Sequence, residues 1–243
     1  MKGTLALAKA EIYRLRRNRR YLVMSFGMPI ILYLLIGTRG KQNELGVSFA
    51  AYYMIGMATF GSFSSALMNN SVRISQERKE GWIRQLRLTP LPSSAYVVAK
   101  LIAAMAIAVP SIAAVLLLGR FVGHVQMAAG SWFMIAVTIW LGALTFAALA
   151  VAIGYRFQPD QVQPIAMVIY FVLIVLGGVF FPLGTGLLGK IGAWTPAYAA
   201  IKISTDLMSG ASVAASPVIA LIIWLAAFVG LATLSVRSMA EVV

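Results

Sequence analysis

The chain has 243 residues, of which 60% are hydrophobic and only 11% charged, with a mean hydropathy of +0.87; a soluble domain carries about a quarter charged residues, so a water-soluble globule is excluded. The formal net charge of +13 falls mostly in two short segments beside apolar runs, while the aromatics lie mainly inside those runs, which excludes a nucleic-acid surface and points to topogenesis and anionic headgroups. Cysteine is absent, which excludes a disulfide framework, a thiolate nucleophile and a cysteine metal site.

Residues 1–20 hold Lys2, Lys9, Arg14, Arg16, Arg17, Arg19 and Arg20, with Leu5, Ala8, Ile12 and Leu15 recurring on one helical face. This predicts an amphipathic helix lying along a headgroup layer, with a plain topogenic basic tail as the simpler alternative. No Ala-x-Ala-like site follows Ile36, so the first span, about Tyr21 to Gly37 with a kink at Pro29, is expected to stay uncleaved. A polar loop, Thr38 to Ser48, leads to the second span, about Phe49 to Asn70, and then to the most charged stretch, Arg73 to Arg87. Pro90 and Pro92 close that stretch. Ser93 and Ser94 are natural caps for the third span, about Ala95 to Leu118; a short loop with Arg120 and His124 leads to the fourth, about Ser131 to Gly154. The fifth runs from about Val162 to Phe181, where Pro182 interrupts it, and the sixth from about Val213 to Val236.

The whole reads as an all-α integral membrane fold with about six transmembrane helices. It forms one domain over 1–243, with an N-terminal interfacial helix at 1–20, a charged segment between spans two and three at 72–92, and a Gly-rich, re-entrant-like outer loop at 183–212. With the N-terminus inside, fourteen Lys and Arg fall on the cytoplasmic side and five on the other, with Lys100 just inside the third span, its stem free to snorkel. That bias predicts cytoplasmic termini in the cell membrane.

Wound as a helix, the stretch Gln76 to Pro90 separates into an ionic sector with Glu77, Glu80, Arg84 and Arg87 and an apolar one with Trp82, Ile83 and Leu86; Glu80 stands four residues before Arg84, as a helical ion pair requires. A break at Gly81 would change the assignment of these faces. An interfacial helix anchored by Trp82 accounts for the pattern, and so does a docking element that carries a partner's motion into the bundle.

Here the sequence resembles the permease subunits of the type-2 ABC exporter family, which includes bacterial drug, polysaccharide and lipid exporters. The matching residues are Glu77-Arg78-x-x-Gly81-x-x-x-x-Leu86-Arg87-x-Thr89-Pro90-Leu91, then Gly178-Val179-Phe180-Phe181-Pro182 and Trp194-Thr195-Pro196-x-Tyr198. The resemblance implies a cytoplasmic coupling helix at about Arg78 to Leu88, a separate ATP-binding cassette subunit in two copies that holds ATP and Mg, and a second permease half, identical or paralogous. It also implies a bacterial source, a substrate path between spans two and five at the dimer axis, and an outer gate bordered by Phe180, Phe181 and Pro182. The chain departs from the family pattern at Gly184-Thr185-Gly186-Leu187-Leu188, where Leu-Pro is usual.

For the apolar path the candidates are Phe60, Phe63, Met68 and Asn69 of the second span and Met167, Phe171 and Leu176 of the fifth; ordinary helix or lipid contact is the readier explanation for any one of them. The Gly184-to-Ile191 run contains a nucleotide-loop pattern by letter only: no strand precedes it, and Ile191 stands where a magnesium-binding Ser or Thr is needed. His124 is the lone histidine, so neither a histidine metal cluster nor a histidine-assisted serine at Ser212 is expected. The expected protein is therefore not an enzyme and carries no cofactor or metal. It is the membrane subunit of an ATP-driven exporter for a hydrophobic or amphipathic compound such as a drug, natural product or lipid, in contact with membrane lipids. The alternatives are a proton-coupled carrier and a signalling or structural subunit.

Overall fold

A computed structural model of the chain describes residues 2–17, 19–38, 48–89, 94–184 and 186–240. Most of the loop expected at 38–48, the Pro90, Pro92 and Ser93 stop-and-cap residues, Thr185 and the side chains from 15 to 25 lie outside this description. The described residues form helices α1 (Lys2–Arg17), α2 (Arg19–Leu32), α3 (Phe49–Ser64), α4 (Asn70–Lys79), α5 (Trp82–Arg87), α6 (Ser94–Phe121), α7 (Ala129–Arg156), α8 (Pro159–Leu176), α9 (Leu187–Gly192), α10 (Pro196–Ser209) and α11 (Ala215–Ala240). No strand occurs among them.

Four helices, α6, α7, α8 and α11, are long and apolar enough to cross a membrane by length and composition. The first two expected spans differ. α2 continues into a π-helical turn at Tyr33–Gly37, and α3 passes through a second, Ser65–Asn69, straight into α4. Around that second turn Ser62 donates to the Ala58 carbonyl (2.8 Å), Ser65 to Ser62 (2.9 Å) and Asn70 to Ala66 (3.2 Å). Side chains that bond back onto the preceding turn compete with the regular ladder and favour such bulges.

α7 is the centre of the bundle. Thr145 to Tyr155 is buried without interruption, as a helix apolar all round must be. Its small residues let neighbours approach closely: a Cβ on Gly142 would meet Phe63 Cζ at 2.6 Å, and one on Gly154 would meet Ile74 Cβ at 2.8 Å. α8 and α11 bury only a narrow side each, and Val168, Val172 and Val175 of α8 and Ile222 and Leu234 of α11 are exposed; such surfaces suit lipid or another chain. α8 ends at Leu176, five residues before the expected end of its span, because the chain turns at Gly177 and Gly178, the latter at φ 68. The segment 183–212 holds α9 and α10, and α10 packs back onto α7, α11, α3 and α8.

Candidate coupling site

α4 and α5 meet in an elbow. The backbone N–H of Glu80 closes α4 on the Gln76 carbonyl, Gly81 takes φ 76, and Gln85 N–H begins α5 by bonding Gly81 O. Residues with a Cβ rarely adopt that left-handed conformation. The single coupling helix expected at about Arg78 to Leu88 is thus divided between the end of α4 and α5. The Glu80–Arg84 pair is lost with it, since the two residues flank the break and no ion pair joins them.

On α5, Ile83 and Leu86 rest against Ile74, Tyr96, Val151, Tyr155 and Ala232, contributed by α4, α6, α7 and α11. The opposite side is open: Trp82 is 38% exposed and Leu88 86%, with Lys79, Glu80, Arg84 and Gln85 also exposed. The Arg87 side chain lies outside the described set. α5 therefore has one face packed on this shared cluster and one presented outward.

Glu77, expected on the ionic outer sector, faces inward at 4% exposure. Lys100 Nζ lies 2.9 Å from Glu77 Oε1 and 2.8 Å from Oε2, and Tyr96 Oη donates to Oε2 at 2.7 Å. Glu11 of α1 completes the cluster, with Lys100 Nζ at 3.0 Å from its Oε1 and Arg73 Nη2 at 2.9 Å from its Oε2; Arg73 also stands 3.6 Å from Glu77. At the edge Arg14, largely exposed, is 3.4 Å from Glu77. Lys100 does not snorkel, being 1% exposed and held between two carboxylates. Burying charges is tolerable only when each is matched in this way, so α1, α4 and α6 are ionically clamped.

Arg78, also expected in the docking surface, ties α4 to the end of α7. Its guanidinium donates to the Tyr155 carbonyl and, at 2.7 Å, to that of Phe157, which also accepts from Ser75 at 2.8 Å. Burial lowers the Arg78 pKa from its ordinary value, against the opposing field of Tyr155. α4 is thus joined to α1, α6 and α7 by charge-assisted bonds, and α5 is joined to α4 through the elbow.

The expected path residues separate into two groups. Phe63 is fully buried, its ring 4.4 Å from that of Phe146, and Phe60 is buried between Tyr170 and Phe180 at 5.6 and 5.5 Å. Neither lines an open passage in this chain. Met68 and Asn69 are half-buried, whereas Met167 and Phe171 are exposed on α8. Of the expected gate, Phe180 packs inward, Phe181 is exposed, and Pro182 borders a hollow of about 160 Å³ shared with Tyr52, Tyr198, Lys202 and Asp206.

Glu11, Arg73, Tyr96 and Lys100 were absent from the sequence-derived site. One sign was available: Glu11 is the sole carboxylate in the first 43 residues, set among seven basic ones in the tail.

Comparison with known proteins adds the family context. The model of the ABC-2 type transporter family matches residues 2–208. A protein of Bacillus subtilis (strain 168) named "Putative transport permease YvfS" is 31% identical over 206 residues, 84% of each chain.

Proposed function

This chain belongs to the ABC-2 type transporter family, and from that premise we propose that it is the membrane subunit of an ATP-driven exporter moving a hydrophobic or amphipathic compound out of the cytoplasm or the inner leaflet. Membership makes it a multi-pass transporter subunit whose kind works with an ATP-binding partner. The finer reading has six spans with both termini in the cytoplasm of a bacterial cell. Two ATP-binding cassette subunits engage α5, and a second permease half, identical or paralogous, meets the exposed side of α8. ATP and Mg sit in the partner.

The observation that carries this reading is the elbow: α5 and its C-cap offer Trp82, Arg84 and Leu88 outward while Ile83 and Leu86 pack on a cluster to which α4, α6, α7 and α11 contribute. Rigid attachment turns a partner's rotation into helix movement, and an exposed Trp and Arg are the residue types that anchor interfaces. The lysine and arginine bias supports the orientation. The apolar, exposed Met167 and Phe171 support an apolar substrate.

The test is purification and reconstitution with the neighbouring ATP-binding protein. Trp82→Asp or Glu80→Lys is expected to leave insertion intact while weakening the partner's hold about 30-fold, the size of an interface anchor, and uncoupling hydrolysis from transport. Normal transport per ATP in either variant refutes the docking role; purification without an ATP-hydrolysing companion refutes the exporter reading.

A further inference from the structure

Away from α5, at the other end of the bundle, an open groove of about 700 Å³ runs between α6 and α7. We propose that it binds one anionic phospholipid, with an acyl chain along the groove and the phosphate at Arg120. The site requires membrane embedding and is independent of the coupling proposed above.

The walls are apolar: Ile112, Leu116 and Leu117 from α6 face Phe133, Val137 and Trp140 from α7. Ala113 and Ala136 leave the space between them. Trp140 fixes the wall, since its Nε1–H donates to the Met105 carbonyl of α6 at 2.9 Å. From Val109 to Arg120 the groove follows twelve residues of α6, eleven rises of about 1.5 Å or about 16 Å, which is half of a hydrocarbon core of about 30 Å. It therefore matches a chain from a single leaflet.

The mouth is different in chemistry. Arg120 lines both the apolar groove and a mainly polar hollow formed with His124 and Gln126. Among the described residues no carboxylate lines either space, and none pairs with Arg120. Among those residues the guanidinium has no anion of its own, and its fork suits a phosphate. His124 is held at φ 50 by a turn in which Val125 N–H bonds Gly119 O at 3.0 Å, adding a ring that donates from an exposed position. A positive head joined directly to an apolar slot one leaflet deep selects a phospholipid over a free anion, which has no use for the slot.

The experiment uses the full chain in phosphatidylcholine vesicles, with Trp82, Trp194 and Trp224 replaced by Phe so that emission comes from Trp132 and Trp140, both in the groove. Phosphatidylglycerol or phosphatidylcholine brominated on its acyl chains is titrated in as quencher. Half-quenching is expected at about a fivefold lower mole fraction of phosphatidylglycerol, the effect of one basic residue near a membrane surface. Arg120→Gln is expected to abolish that preference, Arg120→Lys to retain it, and Ala113→Phe to reduce quenching by filling the slot. Equal quenching by the two lipids, which marks ordinary annular contact, overturns the proposal. So does a preference that survives Arg120→Gln, loss of the preference in millimolar inorganic phosphate, or absence of quenching because another chain covers the groove.

Discussion

Replacing Lys100 by Met keeps an unbranched apolar stem one atom shorter and removes the charge. Nζ stands within 3.0 Å of three oxygens on Glu11 and Glu77, and both carboxylates are nearly inaccessible. In the variant Arg73 alone remains inside to answer two buried anions, since Arg14 sits at the solvent edge. Removing one member of a buried ionic cluster costs about 3–5 kcal/mol. At about 2–4 °C per kcal/mol for a chain of this size, the melting midpoint in detergent, followed by intrinsic fluorescence, is expected to fall by roughly 10 °C. The paired variant Glu77→Gln with Lys100→Met leaves Glu11 matched to Arg73, so its loss is expected to be smaller than the sum of the single losses by about 1–3 kcal/mol. A shift below about 2 °C for Lys100→Met, or strictly additive behaviour, refutes the clamp, the contact scale being set by the same relation.

Gly81→Ala is expected to destabilise by about 1–2 kcal/mol through backbone strain alone, because nothing lies within 4 Å of the added methyl; Gly81→Asn, which tolerates the left-handed region, is expected to cost less in the same melting assay. Phe63→Ala empties a fully buried site against Phe146 and is expected to cost about 3–5 kcal/mol, whereas Phe171→Ala on the exposed side of α8 is expected to stay within about 0.5 kcal/mol. Gly56→Val drives a branched side chain into the Val179 carbonyl and is expected to lower the yield of folded protein, measured by size-exclusion chromatography, more than Gly130→Val, where there is open space.

Much of the scaffold is legible from hydropathy. The third, fourth and sixth expected spans agree with α6, α7 and α11 to within four residues at each end, because long apolar runs leave few alternatives. The apolar face of the coupling segment is also legible, with Ile83 and Leu86 packed as their spacing requires. The direction in which Glu77 faces is not, for its partners Arg14 and Lys100 come from elements 63 and 23 positions away and no local period reports such an encounter. Nor does hydropathy separate Phe63 from Phe171. Lipid tails and helix interiors are equally apolar, so a residue facing either one looks the same in sequence. The π-helical turn at Ser65–Asn69 arises from serine and asparagine bonds to the backbone, which leave no periodic trace.

The clamp formed by Glu11, Arg73, Glu77 and Lys100 has two anions and two cations. Rocking that carries the four as a unit displaces no net charge through the membrane field. One unmatched charge crossing it fully would couple to voltage at about 2.3 kcal/mol per 100 mV. The four buried groups at the joint between α1, α4 and α6 are therefore neutral as a set, with Arg14 a further cation at the solvent edge, and under the coupling proposed above their movement adds no voltage dependence of its own.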